Sequence, residues 1–108
     1  MLHDPQFVEA ARFLGKRMLK SDEPSIELKI AFGFKCCTSR EPVEAELEIL
    51  LANYYQRLDQ YRADLSAADQ VLGVGGIKIT VVQDRAELAA LTQVARMLMN
   101  LSEFLTKG

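Results

Sequence analysis

Residues 84–104 read DRAELAALTQVARMLMNLSEF, and how this stretch folds decides the architecture of the whole chain. Leu88, Leu91, Val94, Ala95, Leu98, Leu101 and, just beyond it, Leu105 recur at steps of three and four. On a helix of 3.6 residues per turn those positions share one broad face. Asp84 with Glu87 three residues on supplies an N-terminal cap signal. A face of this kind must be covered, and the rest of the chain is read as the material that covers it.

At 108 residues the chain is one domain, able to bury roughly two-thirds of its unfolded surface without a disulfide or a metal. Its apolar fraction of 49% and charged fraction of 26% are those of an ordinary globular protein. A formal charge of -2, both signs being spread along the chain, leaves no basic stripe, so nucleic acid is not an expected partner. No apolar run approaches about twenty residues and the N-terminus lacks a signal-peptide order, so membrane insertion is not expected.

Asp4 and Pro5 open a first helix as N-cap and first-turn residue, with Phe7, Ala11, Leu14 and Met18 as its inward stripe. Ser21 to Ser25, SDEPS, is a turn. The segment Ile26 to Cys37 reads two ways. Strict alternation of Ile26, Leu28, Ile30, Phe32, Phe34 and Cys36 with mainly polar or small residues suits a strand. On a helix the same residues give two apolar faces, Ile26/Ile30/Phe34/Cys37 and Leu28/Phe32/Cys36, as in a helix sandwiched between others. The adjacent Cys36 and Cys37 cannot bridge without strain and are expected to be buried as small apolar groups.

After a loop from Thr38 to Pro42, about Val43 to Asp64 forms the longest helix expected, with the stripe Leu47, Leu50, Leu51, Tyr54, Leu58, Tyr61 and Leu65. Glu41, Glu44, Glu46 and Glu48 crowd its N-terminal end and Arg57 and Arg62 its C-terminal half, as the helix dipole prefers. Ser66 with Asp69 is a second cap signal, giving a short helix Ala67 to Leu72 that Gly73 stops. Ile77 to Val82, IKITVV, is β-branched and extended. It is either a strap across the helices, the preferred reading, or an edge that pairs with another chain.

Three pieces in this order, DPQFVEAARFL at residues 4–14, REPVEAELEILL at 40–51 and LTQVARMLMNLSEFLTK at 91–107, carry a family resemblance. They resemble the extreme C-terminal part of large secreted planctomycete-type proteins that combine a cytochrome-c-like domain with two domains of unknown function. The resemblance covers essentially the whole chain. It implies a helix over Ile26 to Cys37, an origin as the end of a larger exported protein, and a periplasmic or extracellular location. It implies no activity. The haem-attachment motif C-x-x-C-H of such proteins would lie in another domain, and this chain has none. Relatives tend to have a proline-containing loop before the last helix, where this chain has GVGGIKITVV, so the path of residues 73 to 83 is left open.

Catalytic and ligand patterns fail on their spacing. In GVGGIKIT, Ile77 rather than glycine precedes Lys78, so the phosphate-loop pattern is broken, and a helix precedes the glycines. Glu44 and Glu48 lie one turn apart with no E-x-x-H beside them, which leaves a solvated helix end. His3 is the sole histidine, so no triad assembles. Tyr54 and Tyr61 belong to the core stripe and Tyr55 lies off it, while Met18, Met97 and Met99 fill core space.

The expectation is therefore an all-α bundle of four main helices and a short one, with an extended strap before the last. No catalytic residue, metal or cofactor is assigned. The function expected is that of a non-catalytic structural or interaction module whose partners are the upstream domains of its parent or a second copy. Phe13, which lies off the first helix's stripe, and Ile77, Ile79, Val81 and Val82 are the expected docking surface. The alternative is a pocket wall in an enzymatic or electron-transfer assembly whose catalytic groups lie upstream.

Overall fold

The computed structural model describes the main chain of residues 5–72 and 85–107, with the side chains of 6–72 and 85–101. The described residues form α1 (Pro5–Lys20), α2 (Ile26–Thr38), α3 (Glu44–Ala63), α4 (Leu65–Leu72) and α5 (Arg85–Lys107). There is no strand among them. Asp84 and the expected strap at residues 77–82 lie outside the described residues, as does the glycine-rich run at 73–76.

The last helix is the axis of the fold. α5 packs against all four other helices, and Leu91, Val94, Ala95 and Leu98 are fully buried as its stripe predicts. Burial also runs round its flanks: Ala86, Ala89, Ala90 and Thr92 are buried with them. Small side chains there let neighbouring helices approach closely, and the Thr92 hydroxyl is satisfied by donating to the Leu88 carbonyl at 2.7 Å. At 23 residues α5, not α3 with 20, is the longest helix described.

Ile26–Thr38 is a helix. One of its two apolar faces is fully covered and the other only at Phe32. Ile30 and Phe34 are fully buried, with Gly33 between them, whereas Leu28 and Cys36 face outward. α2 packs against α1, α3 and α5, as a helix set among others would, while the expectation of a buried Cys36 is corrected, its side chain being exposed. Cys36 and Cys37 are not joined in a disulfide. Ser25 caps the helix start, its Oγ accepting from the Leu28 N–H at 3.2 Å. Ser39 ends it in the left-handed region at φ 63°, its N–H donating to the Lys35 carbonyl at 2.8 Å.

The α3 stripe is buried at Leu50, Tyr54, Leu58 and Tyr61, but Leu65 does not continue it. Asp64 breaks the helix, and Leu65 becomes the first residue of α4. Asp64 rather than Ser66 is the cap, its Oδ1 accepting from the Ala67 N–H at 3.3 Å. Asp69, freed from capping, pairs instead with Arg85, at 2.8 and 2.6 Å.

Two cations tie helix ends to their neighbours. Lys29 donates to the Leu19 and Ser21 carbonyls, each at 2.9 Å, closing the end of α1. Arg12 donates to the Leu72 carbonyl at 2.7 Å, closing α4, while also pairing with Glu9. Both satisfy carbonyls that a helix terminus leaves without an internal partner.

Candidate functional site

Along α3, Asn53 and Arg57 stand one turn apart on the flank of the buried Leu50–Tyr54–Leu58 stripe. Along α5, Gln93, Arg96, Met97 and Asn100 form the corresponding row beside Val94 and Leu98. The helices run antiparallel: Arg62 near the end of α3 reaches Glu87 in the first turn of α5 at 3.8 Å, and Tyr61 meets Gln93. The two rows therefore face one another and line a cleft of about 360 Å³, at the lower end of the roughly 300–1,000 Å³ typical of ligand pockets.

The lining is two guanidinium groups, three carboxamides and one thioether. Gln93 is held in place because its Nε2 donates to the hydroxyl of the buried Tyr61 at 3.0 Å. Asn53 is different. Its Oδ1 is covered from solvent and has no hydrogen-bond partner among the described residues, an arrangement that costs on the order of 1–3 kcal/mol. Arg12, Arg40, Arg62 and Arg85 all pair with carboxylates, and Arg17 lies over the Phe32 ring at 5.7 Å. The contact made by Arg57 is only a 3.5 Å approach to the neutral Gln60 Oε1, the outer limit of a hydrogen bond.

Chemically the cleft holds hydrogen-bond donors and positive charge. Among the described residues its lining contains no carboxylate, thiol or imidazole, the groups that serve as general acids or bases. Among the described residues no three His, Cys, Asp or Glu side chains gather as a metal site. No described helix is long and apolar enough to cross a membrane.

Perturbed groups lie away from the cleft or in the core beside it. Burial pushes the Tyr54 phenol up to about 12, with Glu87 adding to the effect. The Cys37 thiol is raised by burial and then by Cys36, opposite to what a reactive thiolate needs. Glu46 is drawn down to about 2, first by Arg40, which binds both its oxygens at 2.9 Å, then by the Val43 N–H. Arg40 also lies 4.9 Å from the Phe34 ring centre, so this cluster clamps the start of α3 onto α2.

Of the expected docking residues, Phe13 is 65% exposed on α1; Ile77, Ile79, Val81 and Val82 lie outside the described residues. Glu44 and Glu48 are exposed, and Tyr55 is half exposed with its ring edge against Tyr54. Of the cleft residues the sequence marks only Arg57, as a charge suited to its helix end, and Met97, as a filler of core space. The available signal was the pair of polar residues, Asn53 and Arg57, repeating at one-turn spacing on the immediate flank of an apolar stripe. No protein-family model, curated protein or solved structure matches the chain.

Proposed function

We propose that this chain is a non-catalytic interaction module that holds a partner through side-chain hydrogen bonds and charge. The observation that carries this reading is the α3–α5 cleft, whose described lining combines two guanidinium groups and three carboxamides with one thioether. Such a lining orients a bound group without supplying a proton or an electron pair to it. The resemblance of the three sequence pieces to the ends of planctomycete-type secreted proteins supports a setting for it, as the closing part of a larger exported protein whose other domains are its partners.

An amide NMR titration of the labelled chain with the polypeptide preceding it in that larger protein tests the reading. Localised, saturable shifts are expected. An unchanged spectrum, or a Soret band in the absorbance of the purified chain, would overturn it.

A further inference from the structure

We infer that the chain associates with a second copy of itself, the basic and apolar face of α1 and α2 on one copy seating on the acidic and apolar face of α3 on the other. The register of α1 and α2 makes the first face a single surface. Arg17 lies over the Phe32 ring at 5.7 Å and Lys29 reaches the Leu19 carbonyl at 2.9 Å, so the two helices run antiparallel. One turn back along α1 and one turn on along α2 then set Phe13 beside Cys36. Phe13 is 65% exposed and Cys36 is exposed with it. Exposed Lys16 borders this patch on the α1 side and exposed Lys35 on the α2 side. Carboxylates do not cancel their charge: Glu9 is paired with Arg12, and Asp22, Glu23 and Glu27 gather at the other end of the hairpin, toward Leu28.

The second face is the side of α3 turned away from its buried Leu50–Tyr54–Leu58 stripe. Ile49 is 63% and Tyr55 51% exposed, with exposed Ala52 between them. Glu44, Glu48 and Asp59, all exposed, surround that apolar centre, and Arg62, at the end of the face, is paired with Glu87. Two surfaces with apolar centres and rims of opposite charge are what a contact needs to be steered together and then held. One copy cannot join its own two faces, because α1 and α3 are each fixed against α5 without packing side by side. A formal charge of -2 opposes the approach of two copies only weakly. Since the two faces differ, the contact leaves one of them free on each copy, and association continues until a ring closes. Both faces are separate from the α3–α5 cleft, so the failure of this contact would leave the reading of that cleft untouched.

Sedimentation velocity of the full chain tests this, in reducing buffer so that no Cys36 disulfide contributes. The average mass should rise with concentration over the micromolar to millimolar range and fall back as salt is added. Phe13→Asp and Ile49→Asp each put a carboxylate into the apolar centre of one face. Both positions are exposed, so both variants should keep the amide dispersion of the parent chain. Each alone should associate about tenfold more weakly, or less. Mixed, they should recover the parent's affinity as 1:1 pairs that grow no further, because the intact α3 face of Phe13→Asp meets the intact α1–α2 face of Ile49→Asp. A parent chain that stays monomeric throughout, or whose association strengthens with salt, would overturn the inference without any variant. So would a folded variant that associates like the parent, or a mixture that associates no better than its components.

Discussion

Gly15 of α1 lies against Thr92 of the central helix α5 with no room for a side chain: a Cβ placed on Gly15 would lie 2.8 Å from Thr92 Oγ1 and 2.9 Å from Thr92 N. The nitrogen belongs to the backbone of a fully buried residue, so it cannot swing aside. Gly15→Ala should therefore push the two helices apart. Overpacking of this kind costs about 1–3 kcal/mol, offset by up to about 1 kcal/mol from better helix propensity. Denaturant unfolding of Gly15→Ala should show a net loss of about 1–2 kcal/mol. A gain in stability would show that α1 can move away freely.

Gly33 makes the comparison. A Cβ there would meet Met18 Sδ at 2.5 Å and its Cε and Cγ at 2.8 Å, which is closer still, but every one of these atoms is in an unbranched side chain. Methionine can change rotamer where a backbone cannot. Gly33→Ala should cost less than Gly15→Ala, by about 1 kcal/mol or more, and the order of the two unfolding midpoints checks it.

Glu46 gives the fold a pH dependence at its acidic end. Arg40 and the Val43 N–H hold the folded carboxyl at about 2, well below its ordinary value of 4.5. A depressed carboxyl stabilises the fold fully above its unfolded pKa, and the contribution disappears as pH falls through the folded one. The stability difference between the parent chain and Glu46→Gln should be constant above about pH 5.5, shrink through the interval below pH 4.5, and be largely gone near pH 2. A difference unchanged over this range would show that the Arg40–Glu46 fork does not persist in solution.

The helices were legible because their signals are local. The repeat of Leu88, Leu91, Val94, Ala95 and Leu98 needs no knowledge of the rest of the chain, and all but half-buried Leu88 are fully covered. What surrounds a helix is less local. Ala89, Ala90 and Thr92 escape a search for large apolar residues, yet they are buried because α5 has neighbours on several sides. The second apolar face of α2 is covered only at Phe32, which meets the core and Arg17, and stays open at Leu28 and Cys36. Ser66-x-x-Asp69 matches a capping pattern, but Asp64 lies at the break itself, and Arg85 draws Asp69 elsewhere. The cleft was hidden for a related reason: Asn53 and Gln93 lie on helices far apart in sequence, and only tertiary packing sets them opposite each other.

Ser39 stores a small amount of strain that substitution can release. Its φ of 63° lies where a Cβ is disfavoured, and its N–H must stay there to reach the Lys35 carbonyl. Glycine meets that geometry without the steric cost, although it loses more freedom on folding. Ser39→Gly should stabilise the chain by about 0.5–1 kcal/mol, read as a raised thermal midpoint. A lowered midpoint would mean that the serine side chain contributes more than its backbone costs.

Asp69 and Arg85 join α4 to the start of α5 by two parallel bonds of 2.8 and 2.6 Å, with both side chains only partly exposed. Exposed ion pairs typically couple by 0.2–1 kcal/mol, but bidentate geometry and partial burial favour the upper part of that range. The cleanest measure is a double-mutant cycle of Asp69→Asn and Arg85→Gln, because each single change also leaves a partner unsatisfied. A coupling of about 1 kcal/mol is expected at low salt, falling as ionic strength rises. Arg85→Lys should recover less than half of it, since a single ammonium cannot engage both carboxylate oxygens in parallel. Additive single effects would mean that Arg85 and Asp69 act as independent surface charges and do not help to hold α4 to the start of α5.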